Sequence, residues 1–174
     1  MIELDISRIK SIPTGKENFL TDIEMQPIGT GNEEIFFNKP VALDLTVEND
    51  EGLLKLTGKL GGNVMIACSR CLEFFDMPIF AEINEVYYNE SQRFDLSADD
   101  GGEWIPFRGD KLNITTEVLK SLLSALPMKL VCRQDCRGLC QNCGTNLNIS
   151  SCYCPKEETD IRLQVLKQFL EEKE

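Results

Sequence analysis

Eight cysteines and no histidine set the terms on which this chain can fold. The cysteines stand at 68, 71, 132, 136, 140, 143, 152 and 154, in four short pairs spaced CxxC, CxxxC, CxxC and CxC. Partners this close in sequence make strained disulfides, and the loops they close are too short to restrain the unfolded chain much. They make good chelates, because a tetrahedral zinc ion asks for four thiolates at about 2.3 Å, normally delivered as two short pairs from separate loops. Gly144, directly after Cys143, suits a knuckle in which backbone amides fold back toward sulfur, and Gly138 frees the linking loop to reverse. Cys68, Cys71, Cys132, Cys136, Cys140, Cys143, Cys152 and Cys154 are the candidate ligands, and one or two structural Zn2+ ions the expected cofactor.

Two partitions stay open. In one, Cys68, Cys71, Cys132 and Cys136 hold one ion and Cys140, Cys143, Cys152 and Cys154 a second. In the other, Cys68 and Cys71 are free thiols under the sheet and the last six cysteines compete for one ion. Four thiolates leave no open coordination position, which is the mark of a structural site. A redox role for "CSRC" (68–71) is the alternative. It needs a helix starting at Cys68 to lower the thiol pKa, whereas "LEFFDMPIFAE" reads as a strand with a proline.

The rest of the chain predicts an α+β fold, a mainly antiparallel sheet that can close into a barrel, with two helices and a C-terminal Cys-rich zinc-binding module. Ile2, Leu4 and Ile6 alternate with acidic residues, and Val41, Leu43, Leu45 and Val47 with Ala42, Asp44 and Thr46, the period of half-buried strands. "ENDEG" (48–52) and "GGN" (61–63) read as turns in a meander. Phe75, Met77, Ile79, Ala81 and Ile83 share one face of a strand whose Pro78 points to a sheet edge. Residues 89–103, with five acidic side chains, read as a solvated loop. One helix, at about 115–126, carries Val118, Leu119, Leu122, Leu123 and Leu126, with Thr115 or Thr116 as cap and Pro127 as stop. A second, within 159–174, carries Ile161, Val165, Leu166, Phe169 and Leu170. The expected division is a β-rich domain with one helix at 1–127, then the Cys-rich segment and terminal helix at 128–174.

The formal net charge of −11 repels phosphate, which argues against sequence-independent nucleic-acid binding by the whole chain. No apolar run approaches a membrane span, and "MIELDISRIK" lacks a signal peptide's apolar core, so a cytoplasmic protein is expected. Without histidine there is no Ser-His or Cys-His pair, and no phosphate-binding glycine loop occurs, so an enzyme is not expected. Residues 126–146 hold three basic side chains and one acidic. Arg70, Lys129, Arg133, Arg137, Asn142 and Asn146 are therefore candidate contacts to RNA or an acidic protein. The competing reading is that the arginines balance thiolate charge.

"CSRCLE" (68–73), "LP" (126–127), "CRQDCRGLCQNCGTNLN" (132–148), "CYC" (152–154) and "DIRLQVL" (160–166) resemble the YceD family of bacterial proteins, with relatives in chloroplasts. The resemblance spans almost the whole chain; Ile161 and Leu163 stand where the family often has proline and tryptophan. It implies a role in accumulation or processing of large-subunit ribosomal RNA, hence ribosome biogenesis, and no catalytic activity. The implied partner is a ribosomal protein or pre-ribosomal RNA of the large subunit. The net charge favours a basic ribosomal protein as the direct contact.

Overall fold

The structure is a computed structural model and describes residues 1–30, 33–91 and 104–155. Its elements are β1 (Glu3–Asp5), β2 (Lys16–Ile23), β3 (Ile28–Thr30), β4 (Glu33–Phe37), β5 (Val41–Asp50), β6 (Leu53–Ala67), β7 (Phe74–Asn89), β8 (Ile105–Phe107), β9 (Lys111–Asn113) and α1 (Thr115–Ser124). Strands β2 to β8 form one sheet, and β1 pairs with β9 in a second, two-stranded one.

The alternation in β5 does what its period demands. Val41, Leu43, Leu45 and Val47 are all 0 % exposed. The same phase buries Asn49, whose amide donates to the carbonyls of Ile9, Lys10 and Ile12 and accepts from the Gly52 N–H. The strand therefore runs through most of "ENDEG", and the reversal is confined to Glu51 and Gly52, with φ of 51° and 99°. Two positive φ values are what a two-residue type I′ hairpin requires.

"GGN" is not a turn. β6 passes straight through it as one 15-residue strand, in which Gly62, and Gly58 ahead of the stretch, serve close approach rather than reversal. A Cβ on Gly58 would stand 2.2 Å from the Asp44 carbonyl oxygen, and one on Gly62 3.2 Å from a Val41 methyl. β6 becomes the spine of the sheet: β7 pairs along one edge over its full length, and β5 and then β4 occupy the other.

Met77 and Phe75 of β7 are half-buried and Ile79, Ala81 and Ile83 buried, on the expected face. Pro78 lies where the outer edge of β7 has no strand partner among the described residues, so its missing N–H costs no ladder bond there. The sheet is mainly antiparallel, as expected, with β7–β8 its one parallel pair among the described residues. One expectation is corrected: among the described residues the sheet does not close into a barrel, since β2 has only β5 and β8 only β7 as neighbour there.

α1 packs on β7, burying Val118 and Leu122 with Leu119, Leu123 and Leu126 half-buried. Its start is capped differently from expectation. Asn113 Oδ1 accepts from both the Thr115 N–H (3.0 Å) and the Thr115 hydroxyl (2.7 Å), leaving Thr115 Oγ1 to accept the Ile2 N–H. α1 is the one helix of length among the described residues; the expected helix within 159–174 lies outside them, as does most of the acidic stretch 89–103. The core thus sits between one face of the large sheet and a cover made of α1, β1 and β9. No helix among the described residues is long and apolar enough to cross a membrane.

Candidate metal centres

The turn between β6 and β7 is a cysteine knuckle. The Leu72 N–H donates to the Cys68 carbonyl (2.9 Å) and the Cys68 N–H to the Glu73 carbonyl (2.9 Å), while the Arg70 N–H points at Cys68 Sγ (3.4 Å). The same ring recurs at "CQNCGT": Gly144 N–H to Cys140 carbonyl at 2.9 Å, and Cys140 N–H to Thr145 carbonyl at 2.8 Å. In both, the residue after the second cysteine has a positive φ, 72° at Gly144 and 61° at Leu72. Gly144 signals its knuckle in the sequence. Leu72 conceals the other.

The eight thiols are free and gather in two fours. Cys68, Cys71, Cys132 and Cys136 form an inner group, and Cys140, Cys143, Cys152 and Cys154 an outer one; within each, all four sulfurs lie within 4.8 Å of one another. This grouping is the first of the two partitions that the spacing allowed. In the inner group Cys68 and Cys136 sulfurs are 3.9 Å apart and those of Cys71 and Cys132 3.8 Å. A tetrahedron with metal–sulfur bonds of about 2.3 Å has edges of about 3.8 Å, so these residues fit a four-thiolate ion.

Electrostatics point the same way, because four neighbouring thiols cannot all ionise without a cation. Burial, reinforced by Cys136, Cys68 and Cys71, pushes the Cys132 thiol up to about 12. Burial opposes ionisation of Cys68 too, but the backbone N–H groups of Cys132, Cys71 and Arg70 hold it down to about 6. In the outer group the Thr145 hydroxyl and N–H bring Cys143 down to about 6, while hydrogen bonding to Cys143, then burial, pushes Cys154 up to about 12. Each group thus sets a thiol that ionises readily, Cys68 or Cys143, beside one that resists, Cys132 or Cys154. A divalent ion at the centre would remove the conflict.

The two groups are joined by a short network. Gly138, at φ 73°, passes so close to the first knuckle that a Cβ would lie 2.9 Å from the Arg70 carbonyl oxygen. That same oxygen accepts the Leu139 N–H, and Leu139 forms an antiparallel bridge with Asn146. Asn148 is the pillar: its amide N–H groups reach Cys136 Sγ (3.3 Å) and Asn146 Oδ1, and its Oδ1 accepts from the Arg137 N–H and from Arg133 Nη2. Its N-terminal neighbour Leu147, whose N–H donates to the Gly138 carbonyl, belongs to the same ladder.

Of the candidate contact residues, most have internal tasks. Arg70 donates to the carbonyls of Gln134 (3.2 Å) and Cys136 (2.9 Å). Arg133 pairs with Asp135 at 3.5 Å as well as with Asn148. Asn142 donates to the Pro155 carbonyl, and Asn146 to Glu73 Oε1 at 3.4 Å. Lys129 is exposed. The Arg137 side chain lines a groove of about 550 Å³ beside the outer group, together with Gln141, Asn142 and Ser150. The redox reading of Cys68 and Cys71 finds no helix after Cys68, since β7 follows, and both thiols are buried.

The family model described as "Large ribosomal RNA subunit accumulation protein YceD" matches residues 56–170. The chain is 25 % identical over 185 residues to the chloroplastic large ribosomal RNA subunit accumulation protein YCED homolog 1 of Arabidopsis thaliana, covering 91 % of this chain and 54 % of that protein. It is 25 % identical over 142 residues to the Zea mays protein of the same name (66 % and 48 % covered). It is 28 % identical over 148 residues to an uncharacterized protein of Mycobacterium tuberculosis (83 % and 70 % covered). The chain spans about half the length of the two plant relatives. No solved structure matches it. With both knuckles and the linking ladder inside the matched span, the chain belongs to the YceD family of large ribosomal RNA subunit accumulation proteins.

Proposed function

We propose that this protein is a non-enzymatic factor in large-subunit ribosomal RNA accumulation, in which two structural zinc ions order loops that present a binding surface. The observation that carries the reading is the closure of both thiol groups: each offers four sulfurs, which complete a tetrahedral shell and leave no position for water or substrate. The absence of histidine from the chain removes the usual base at neutral pH. The surface so ordered comprises the first knuckle and residues 129–155, and its partner is a ribosomal protein or pre-ribosomal RNA of the large subunit. Free thiols suit a reducing compartment such as the cytoplasm. Native mass spectrometry of a zinc titration should find two ions per chain; one or none sinks the two-site reading. Capture of large-subunit precursors from lysate, with and without ribonuclease, tests the partner, and capture of neither RNA nor ribosomal protein refutes the role.

A further inference from the structure

The two thiol groups differ in access, which governs attack by an oxidant. In the inner group Cys68, Cys71 and Cys136 are buried, packed with Phe75, Val131 and Leu139. In the outer group no thiol is buried, and Cys143 is exposed between the exposed Asn142 and Gly144 at the tip of its knuckle. The Thr145 hydroxyl lies 3.1 Å from Cys143 Sγ, within reach to donate to the sulfur as a thiolate. The three other outer sulfurs lie within 4.8 Å of it, so a resolving thiol is at hand.

We infer that Cys143 is an oxidation site for small peroxides, and that the outer thiol group is a metal site opened by oxidation while the inner group is not. The inference rests on the metal reading above. Cys143 as thiolate attacks one oxygen of hydrogen peroxide; the S–O bond forms, the O–O bond breaks, and the departing hydroxide takes a proton and leaves as water. A second thiolate of the outer group then attacks the Cys143 sulfur. The S–S bond forms, the S–O bond breaks, and the second hydroxide leaves as water after taking another proton. Two thiolates have lost two electrons to the peroxide, and the ion has lost two of its four ligands. The disulfide draws two sulfurs to about 2 Å, which distorts residues 140–154 and with them the groove beside Arg137. The inner group keeps its clamp, since Arg70, which lies outside that segment, holds the loop around Cys136 through the Gln134 and Cys136 carbonyls.

The test uses the full chain loaded with zinc and unmodified in sequence, so no variant has to fold. Hydrogen peroxide is added, zinc release is followed with a chromogenic chelator, and oxidised cysteines are mapped by differential alkylation and mass spectrometry. One zinc should leave about tenfold or more faster than the other, with the early disulfide confined to Cys140, Cys143, Cys152 and Cys154, and dithiothreitol with zinc should restore it. Simultaneous release of both ions, earlier oxidation of the inner four, or resistance of the outer four overturns the inference and leaves the metal reading intact. A chain that takes up fewer than two zinc ions before peroxide is added refutes the metal reading and this inference with it.

Discussion

Leu72 and Gly144 occupy the same place in two knuckles that share one hydrogen-bond ring, and only the glycine suits it. A left-handed backbone costs an ordinary residue about 1–2 kcal/mol. Leu72 is 64 % exposed, so little packing offsets that strain. Leu72→Gly should therefore leave the unfolding free energy unchanged or raise it by up to about 1 kcal/mol, after the extra flexibility of glycine in the unfolded chain is counted. A loss of more than 1 kcal/mol in denaturant unfolding of the metal-loaded protein would mean that the leucine side chain stabilises the knuckle. Gly138 and Gly144 make the complementary comparison. Both have positive φ, but a methyl at 144 meets open space, whereas one at 138 lies 2.9 Å from the Arg70 carbonyl oxygen. Gly144→Ala should cost about 1 kcal/mol and Gly138→Ala about 2–3 kcal/mol, the excess being the displaced contact between the first knuckle and the linking loop. Equal losses at the two positions would sever that contact from stability.

At the scale of elements, the alternating strands and the cysteine pairs were legible because period and spacing are local properties. β5 and the inner face of β7 follow from two-residue periodicity alone. What escaped depends on neighbours far along the chain. "GGN" looks like a turn until β5 is laid against β6, when Gly58 and Gly62 become the gaps through which its backbone and Val41 approach. Asn49 looks like turn chemistry until Ile9, Lys10 and Ile12 bring three carbonyls to its amide. The first knuckle is hidden by Leu72, and the role of Asn113 at the start of α1 by the two threonines that follow it. The cysteine grouping also changes what a ligand mutation reports. Cys143 belongs to the local outer group, so Cys143→Ser should loosen residues 140–154 and leave the sheet and the inner loop folded. Cys68 is fully buried and ties the β6–β7 turn to residues 132–136, so Cys68→Ser should also lower the cooperative transition of the sheet, by about 2 kcal/mol or more. Hydrogen exchange by mass spectrometry separates the two outcomes; equal deprotection of β6 and β7 in both variants would show that the outer group is not local.

For the whole molecule, the two parts draw stability from different sources. The sheet and α1 enclose an apolar core from Leu4 to Leu130, of a size that folds without covalent staples. Residues 131–155 have two buried positions, Cys136 and Gly138, and otherwise consist of half-buried and exposed residues. On the proposed two-zinc reading, a segment this thin in apolar contacts is held by metal, since structural zinc contributes about 10–16 kcal/mol of apparent folding free energy in small thiolate sites. Stripping zinc with a strong chelator should leave β5, β6 and β7 protected from hydrogen exchange and abolish protection across 131–155 and the 68–73 turn. Because the proposed binding surface is that same module, capture of large-subunit precursors should fall with the metal and return when zinc is restored, while the sheet signal stays constant throughout. The chain's charge of −11 adds a sign: capture of a basic ribosomal protein should survive ribonuclease and weaken as salt rises, since complementary charge is screened beyond about 10 Å at 0.1 M. Capture that persists in the zinc-free chain would move the binding surface off the metal module and onto the sheet.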